Sequence, residues 1–198
     1  TVFKGAARFV APKTLEVAGE RIGAETVVIA AGTRPWVPDI PGLTDVPYVT
    51  SDEVLRLPRQ PRRLTIVGGG YIATEIAHLF GALGTEVTIV QRGPTLLRGA
   101  DREVAIRFTE VYQRRFRVLL GTQATRAYRH GDDVALDVTV EGKTRRVAGD
   151  ALLIATGRTP NSDRLAVAES GVEVDERGFI RVDECLETGV PGVWALGD

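Results

Sequence analysis

Cysteine is almost missing from this chain: Cys185 is the only one in 198 residues. No disulfide can close within the sequence, a lone thiol makes a poor redox centre, and a reducing, cytoplasmic setting is the expectation. Long apolar runs are missing too. The longest, such as Val27 to Ala31 and Ala151 to Ala155, fall far short of the roughly 18 residues a membrane span needs, so no membrane partner is expected. The opening Phe3-Lys4-Gly5-Ala6 leads into no apolar stretch of signal-peptide length. Charge of one sign is absent as well: the formal net charge of -1 gives no global pull toward nucleic acid, and any anion must be bound by local arrangement. Lysine is scarce, with only Lys4, Lys13 and Lys143 against a large excess of arginine, a bias that a GC-rich genome accounts for. The two histidines, His78 and His130, have no cysteine near them, so no metal site is expected and both are read as structural or exposed.

What is present describes a globular chain, 43% hydrophobic and 26% charged, long enough to bury a sizeable core. Thr14 to Val17 and Arg21 to Ile22 flank Gly19 as a hairpin, and Thr26 to Ala31 reads as a buried strand covered on both faces. Four prolines between Pro35 and Pro47 exclude a helix there. Ser51 is expected to cap a short helix over Asp52 to Arg56, with Pro58 to Pro61 as a linker. Strand Leu64 to Val67, a helix ending at Gly84, and strand Glu86 to Val90 make a β-α-β unit, followed by a helix over Asp101 to Arg115. Strands at Val118 to Leu120, Thr122 to Tyr128, Val134 to Val140 and Thr144 to Val147, with turns at Gly131-Asp132 and Glu141-Gly142, suggest an antiparallel meander. Ala151 to Ala155 is another buried strand, and Gly178 to Val182 and Val193 to Leu196 are short ones. The fold class is therefore α/β, a Rossmann-like domain combining a parallel sheet with a β-meander.

One device is used twice. Val27 to Pro35 (VVIAAGTRP) and Leu152 to Pro160 (LLIATGRTP) are each a buried strand ending in a small residue and a glycine, Gly32 or Gly157. Such an end lets a ligand or another backbone approach closely.

The β-α-β unit carries Gly68-x-Gly70-x-x-Ala73 between its first strand and its helix. The first glycine allows the tight turn, the second lets a pyrophosphate meet bare backbone, and the small Ala73 allows close packing. Gly68, Gly69, Gly70, Tyr71 and Ile72 thus surround a helix N-terminus suited to an anion. An NAD enzyme would place an acid at the end of the second strand to bind the ribose 2'-hydroxyl. Here stand neutral Gln91, then Arg92, with Arg98 able to fold back across Gly93-Pro94. Two charge-assisted contacts to a 2'-phosphate, each worth roughly 1.5 to 3 kcal/mol, would select NADPH over NADH; the alternative is a solvated basic turn.

The stretches VGGGYIATE (Val67 to Glu75), PDIPG (Pro38 to Gly42) and GVPGVWALGD (Gly189 to Asp198), with the two strand ends, resemble the pyridine nucleotide-disulfide oxidoreductases, the flavoproteins that include glutathione reductase and dihydrolipoamide dehydrogenase. Within that family Thr95 to Val118 is most similar to mycothione reductases. The resemblance implies a central portion of a longer protein, with residues 1–58 a partial FAD-binding domain and linker, 59–156 the NADPH-binding domain, and 157–198 the return of the FAD-binding domain. It implies that a redox cysteine pair and a dimerisation domain lie outside the chain, that the whole protein is a homodimer, and that the isolated segment is inactive. Hydride would pass from NADPH through FAD to the cysteine pair and a small disulfide substrate. By matching position, Tyr71 would cover the flavin face until nicotinamide displaces it, and Glu75 would lie at the nicotinamide side. Arg92 and Arg98 would hold the 2'-phosphate, Gln91 would replace the acid of NAD users, Asp198 would bond the FAD ribityl chain, and Gly32 and Gly157 would mark strand ends near the flavin. From the residues alone, Tyr71 is equally a helix-start residue of an amphipathic helix and Glu75 a carboxylate favoured by the helix dipole. An NADH-using dihydrolipoamide dehydrogenase and a non-catalytic nucleotide-binding module stand as alternatives.

Overall fold

The computed structural model describes every residue except Glu141. In chain order it forms β1 (Ala7–Ala11), β2 (Thr14–Val17), β3 (Glu20–Gly23), β4 (Val27–Ile29), β5 (Thr33–Pro35), β6 (Arg63–Val67), α1 (Tyr71–Ala82), β7 (Glu86–Val90), α2 (Arg102–Arg115), β8 (Arg117–Leu119), β9 (Gln123–His130), β10 (Asp133–Val140), β11 (Lys143–Gly149), β12 (Ala151–Ile154), β13 (Arg158–Pro160) and β14 (Val193–Ala195). Two compact units result, one of residues 1–34 with 158–198 and one of residues 35–157.

The 35–157 unit is built on a four-stranded parallel sheet in the order β12-β6-β7-β8. Its strands are apolar without alternation because both faces are covered. Leu64, Ile66, Val87, Ile89 and Leu153 pack with Ala73, Ile76, Ala77 and Phe80 of α1 and Tyr112 of α2. On the other face Val67, Val90, Leu152 and Ile154 pack with Val134, Leu136, Val138 and Val147 of the antiparallel meander β11-β10-β9. The Tyr112 hydroxyl donates to the Thr74 carbonyl at 3.0 Å, tying α2 to the first turns of α1; burial pushes its phenol pKa up. In α1, Gly81 is needed because a Cβ there would lie 2.3 Å from the Phe116 ring.

The proline-rich segment belongs to this unit. Ile40, Leu43 and Val46 join the core against the meander, and Gly42, at φ 78, passes so close to β9 that a Cβ would sit 2.3 Å from the Ala127 carbonyl oxygen. The compact unit thus begins at Pro35, whereas the sequence suggested a boundary near residue 58; buried apolar side chains within a proline-rich stretch outweigh its linker-like composition.

In the 1–34 with 158–198 unit, β1, β2 and β3 form an antiparallel sheet and β4 pairs in parallel with β14. Phe9, Val27, Ile29, Val167, Val172, Val193 and Ala195 form its core. The expectation that Thr26 to Ala31 is covered on both faces fails: Val27 and Ile29 are buried but Val28 is 56% exposed, because only one face of this two-stranded sheet has a layer packed on it.

Three local expectations are also corrected. The segment after Thr50 is a turn followed by a single 3-10 turn over Val54–Arg56. Its N-cap residue is Glu53, not Ser51, and no side chain caps it; the Glu53 carboxylate accepts from Thr50 N at 2.9 Å and from Thr50 Oγ1 at 2.7 Å, and these bonds, the hydroxyl first, hold the Glu53 carboxyl below its ordinary pKa. Gly178 to Val182 is not a strand; it contributes only an isolated bridge between Val174 and Ile180. Of the Glu141-Gly142 turn, Glu141 lies outside the described residues.

Candidate functional site

In the 35–157 unit the glycine turn joins β6 to α1. Gly68 has φ 124, and a Cβ on it would stand 2.1 Å from the Ala155 carbonyl oxygen at the end of β12; its glycine is required by the fold. Gly69 is filled from the other side, since a Cβ would meet Gln91 Cδ at 2.8 Å and Leu96 Cδ2 at 2.9 Å. Gly70 is different, for nothing lies within 4 Å of its Cβ position. It is the N-cap of α1, and no side chain caps the helix there. At α2, by contrast, the Asp101 carboxylate accepts from Glu103 N at 2.9 Å and Val104 N at 3.3 Å. The N-terminal N–H groups of α1 are therefore left without a side-chain cap, beside a residue whose Cβ position is open, while two of those of α2 are met by Asp101.

The segment after β7 lies against this turn. Leu97 N donates to the Gly69 carbonyl at 2.7 Å, which binds the two loops edge to edge. Within the second loop the stem of Arg98 folds over buried Gly93, where a Cβ would lie 2.6 Å from Arg98 Cδ. Gln91, half-buried, donates from its amide nitrogen to the Thr95 carbonyl at 3.1 Å. Arg92 and Arg98 are both exposed, and among the described residues neither makes a hydrogen bond or an ion pair. Tyr71 is 60% exposed at the start of α1, Ile72 is half-buried, and Glu75 is exposed on the next turn. An open helix N-terminus, a glycine without a steric reason of its own and two unpaired guanidiniums are donors of the kind that bind anionic groups.

Of the remaining predicted residues, Gly157 closes this unit, with φ 146 and nothing within 4 Å of its Cβ position. Gly32 and Asp198 belong to the other unit, where they line a cleft of about 230 Å³ with Ile29, Ser162, Phe179 and Leu196.

There the doubled strand-end device becomes a reciprocal clasp. Arg34, from the first copy, donates to the Pro160 carbonyl at 3.0 Å and to Asn161 Oδ1 at 3.1 Å, and forms a two-pronged pair with Asp163 at 2.8 and 2.7 Å. The hydrogen bonds from Arg34, followed by one from Arg164 N, hold the Asp163 carboxyl down at about 2. Arg158, from the second copy, donates to the Thr33 carbonyl at 2.8 Å and to the Thr33 hydroxyl, and pairs with Asp198 at 3.2 Å. Thr33 Oγ1 in turn donates to Asp198 at 2.9 Å. Asn161 Nδ2 completes the clasp on the Ala31 carbonyl at 2.9 Å. The sequence reading missed these roles, although the arginine repeated in both copies was the signal for them. It missed Thr95 and Leu97 as well, whose parts are set by contacts between loops.

The histidines stay outside both sites. His78 contacts Arg115 and His130 contacts Arg146, each at 3.2 Å on the surface, and Cys185 is exposed. Among the described residues no three His, Cys, Asp or Glu side chains gather as a metal site, and no helix is long and apolar enough to cross a membrane.

Comparison with known proteins agrees over the whole chain. The model of the pyridine nucleotide-disulphide oxidoreductase family matches residues 1–198. A mercuric reductase of Bacillus cereus is 38% identical over 198 residues, all of this chain and 31% of the relative. A mycothione reductase of Mycobacterium tuberculosis is 42% identical over 181 residues, 91% of this chain and 39% of the relative. Among solved structures, the HOCl-induced flavoprotein disulfide reductase RclA of Escherichia coli superposes with a TM-score of 0.86 at 34% identity, covering 98% of this chain and 44% of that one. The chain thus spans between about a third and under half the length of these relatives. Members of the family are oxidoreductases that use FAD and a nicotinamide cofactor. With its α/β architecture, its glycine turn and a match from first residue to last, this chain belongs to the pyridine nucleotide-disulphide oxidoreductase family.

Proposed function

We propose that this chain is the nicotinamide-binding portion, with adjoining FAD-binding segments, of an NADPH-dependent flavoprotein reductase of small disulfides. The observation that carries the choice of NADPH is the pair Arg92 and Arg98, exposed and without an acidic partner beside the glycine turn. When bound, the nicotinamide and flavin supply hydride transfer toward a redox cysteine pair. The chain's own residues bind and orient. Gly70 and the N-terminus of α1 receive the pyrophosphate, with Gly68, Gly69 and Ile72 shaping the turn. Arg92 and Arg98 hold the 2'-phosphate, and Gln91 presents no charge to repel it. Tyr71, at the helix start, covers the flavin face, and Glu75 lies on its nicotinamide side. Asp198, beside Gly32 in its cleft, meets the ribityl chain, and Gly157 keeps a strand end bare.

The domain assignment follows: residues 35–157 bind NADPH, and residues 1–34 with 158–198 contribute to the FAD site. Similarity to mycothione reductase supports a low-molecular-weight disulfide as acceptor. The whole protein is read as a cytoplasmic homodimer.

A dihydrolipoamide dehydrogenase using NADH is the second reading, and Gln91 disfavours it because such enzymes need an acid there. The test is Arg92→Glu in the full-length protein: kcat/KM for NADPH should fall by about one to two orders of magnitude while that for NADH holds. Equal losses for both cofactors would reject phosphate reading by this turn.

A further inference from the structure

Gln91 occupies the position where a family member using NADH carries its acid, so its replacement looks like the simple removal of a charge. The geometry points to more: we infer that Gln91 is a specificity-determining residue in its own right, a positioning residue whose amide N–H group fixes the arginine turn and so presents Arg98 to a 2'-phosphate. The inference rests on the reading that Arg92 and Arg98 bind that phosphate.

Three contacts carry it. The Gln91 side chain lies flat against the glycine turn, its Cγ and Cδ 2.9 and 2.8 Å from where a Gly69 Cβ would be. Its Nε2 donates to the Thr95 carbonyl at 3.1 Å; a carbonyl accepts only from the amide nitrogen, so the orientation of the amide is fixed. The same nitrogen stands 3.1 Å from the Gly93 Cβ position, and Arg98 Cδ stands 2.6 Å from it. One half-buried amide thus touches the glycine turn and the loop carbonyl, beside the stem of the arginine.

The loop needs such a tie. Leu97 has φ 50, a left-handed conformation that costs a non-glycine residue on the order of 1 kcal/mol and persists only where its surroundings hold it. It is held by Leu97 N on the Gly69 carbonyl at 2.7 Å and, two residues earlier, by Gln91 on Thr95. Glutamate at 91 would turn a carboxylate oxygen toward the Thr95 carbonyl, acceptor against acceptor, and release the loop. On this account an acid at position 91 spoils the phosphate site twice, by its charge and by loss of the donor.

The test uses 2',5'-ADP, which carries the 2'-phosphate, and 5'-AMP, which lacks it, titrated calorimetrically into the protein. Gln91→Met keeps the length and the packing on Gly69 but has no donor. It should weaken 2',5'-ADP about five- to tenfold and leave 5'-AMP unchanged. Gln91→Glu should weaken 2',5'-ADP further without tightening 5'-AMP. In the double variant with Arg98→Ala the two losses should not add, because Gln91 acts through Arg98. A merely structural Gln91 would weaken both nucleotides alike, and losses that add in full, or unchanged 2',5'-ADP binding in Gln91→Met, overturn the inference. The underlying phosphate reading fails separately, if the unmodified protein binds 2',5'-ADP no better than 5'-AMP.

Discussion

Arginine does opposite work in the two units. In the clasp, Arg34 donates to a carbonyl, an amide oxygen and both oxygens of Asp163, and Arg158 to Thr33 and Asp198. In the turn after β7, Arg92 and Arg98 stand exposed with no hydrogen bond or ion pair among the described residues. An arginine whose donors are met serves the fold, whereas one kept free beside an open helix N-terminus is available to an anion. The glycines divide the same way: Gly68 is required by the approach of the Ala155 carbonyl, while at Gly70 nothing in the chain takes up the space.

The sharpest way to break this division is Gly68→Ala against Gly70→Ala. The first should cost more than about 3 kcal/mol of stability, through backbone strain and collision with backbone. The second should change stability by less than about 1 kcal/mol yet abolish measurable dinucleotide binding. Chemical unfolding and calorimetry separate the two. Next, Arg34→Ala should lower Tm by several degrees and leave 2',5'-ADP affinity as it was. Arg98→Ala should do the reverse, with Tm unchanged and affinity for 2',5'-ADP down about tenfold, an effect that shrinks as salt is raised.

The smallest effect is that of pH on the clasp. Asp163 is held at about 2 against an ordinary 3.8, a depressed folded pKa. Its contribution is therefore complete above the ordinary value and is lost as pH falls through about 2. Urea midpoints of the protein and of Asp163→Asn should differ at pH 5 and converge toward pH 2; a gap constant over that range would show that the pair adds nothing.

Much of the sheet was legible because local signals agreed there. The glycine turn, the helical spacing after it and the apolar strands on either side all pointed to one β-α-β unit, and β6, α1 and β7 lie where they were expected. What was not legible depended on partners distant in sequence. Strand β1 buries only Phe9 fully, too faint a pattern to read, and is defined by pairing with β2. The prolines between Pro35 and Pro47 excluded a helix but gave no sign that Ile40, Leu43 and Val46 belong to the core. At the candidate site, residue types were readable and their relations were not. Gln91 reads as an absent acid, and only its bond to Thr95 and its contact with Gly69 give it a positive role.

The central claim is that the turn from Gln91 to Arg98 reads a 2'-phosphate. Calorimetric titration of the protein with NADPH and NADH at low salt tests it most directly. The account predicts tighter binding of NADPH by about one to three orders of magnitude, with the preference lost in the Arg92→Ala, Arg98→Ala double variant. Equal affinities in the unmodified protein, or a preference for NADH, would contradict it.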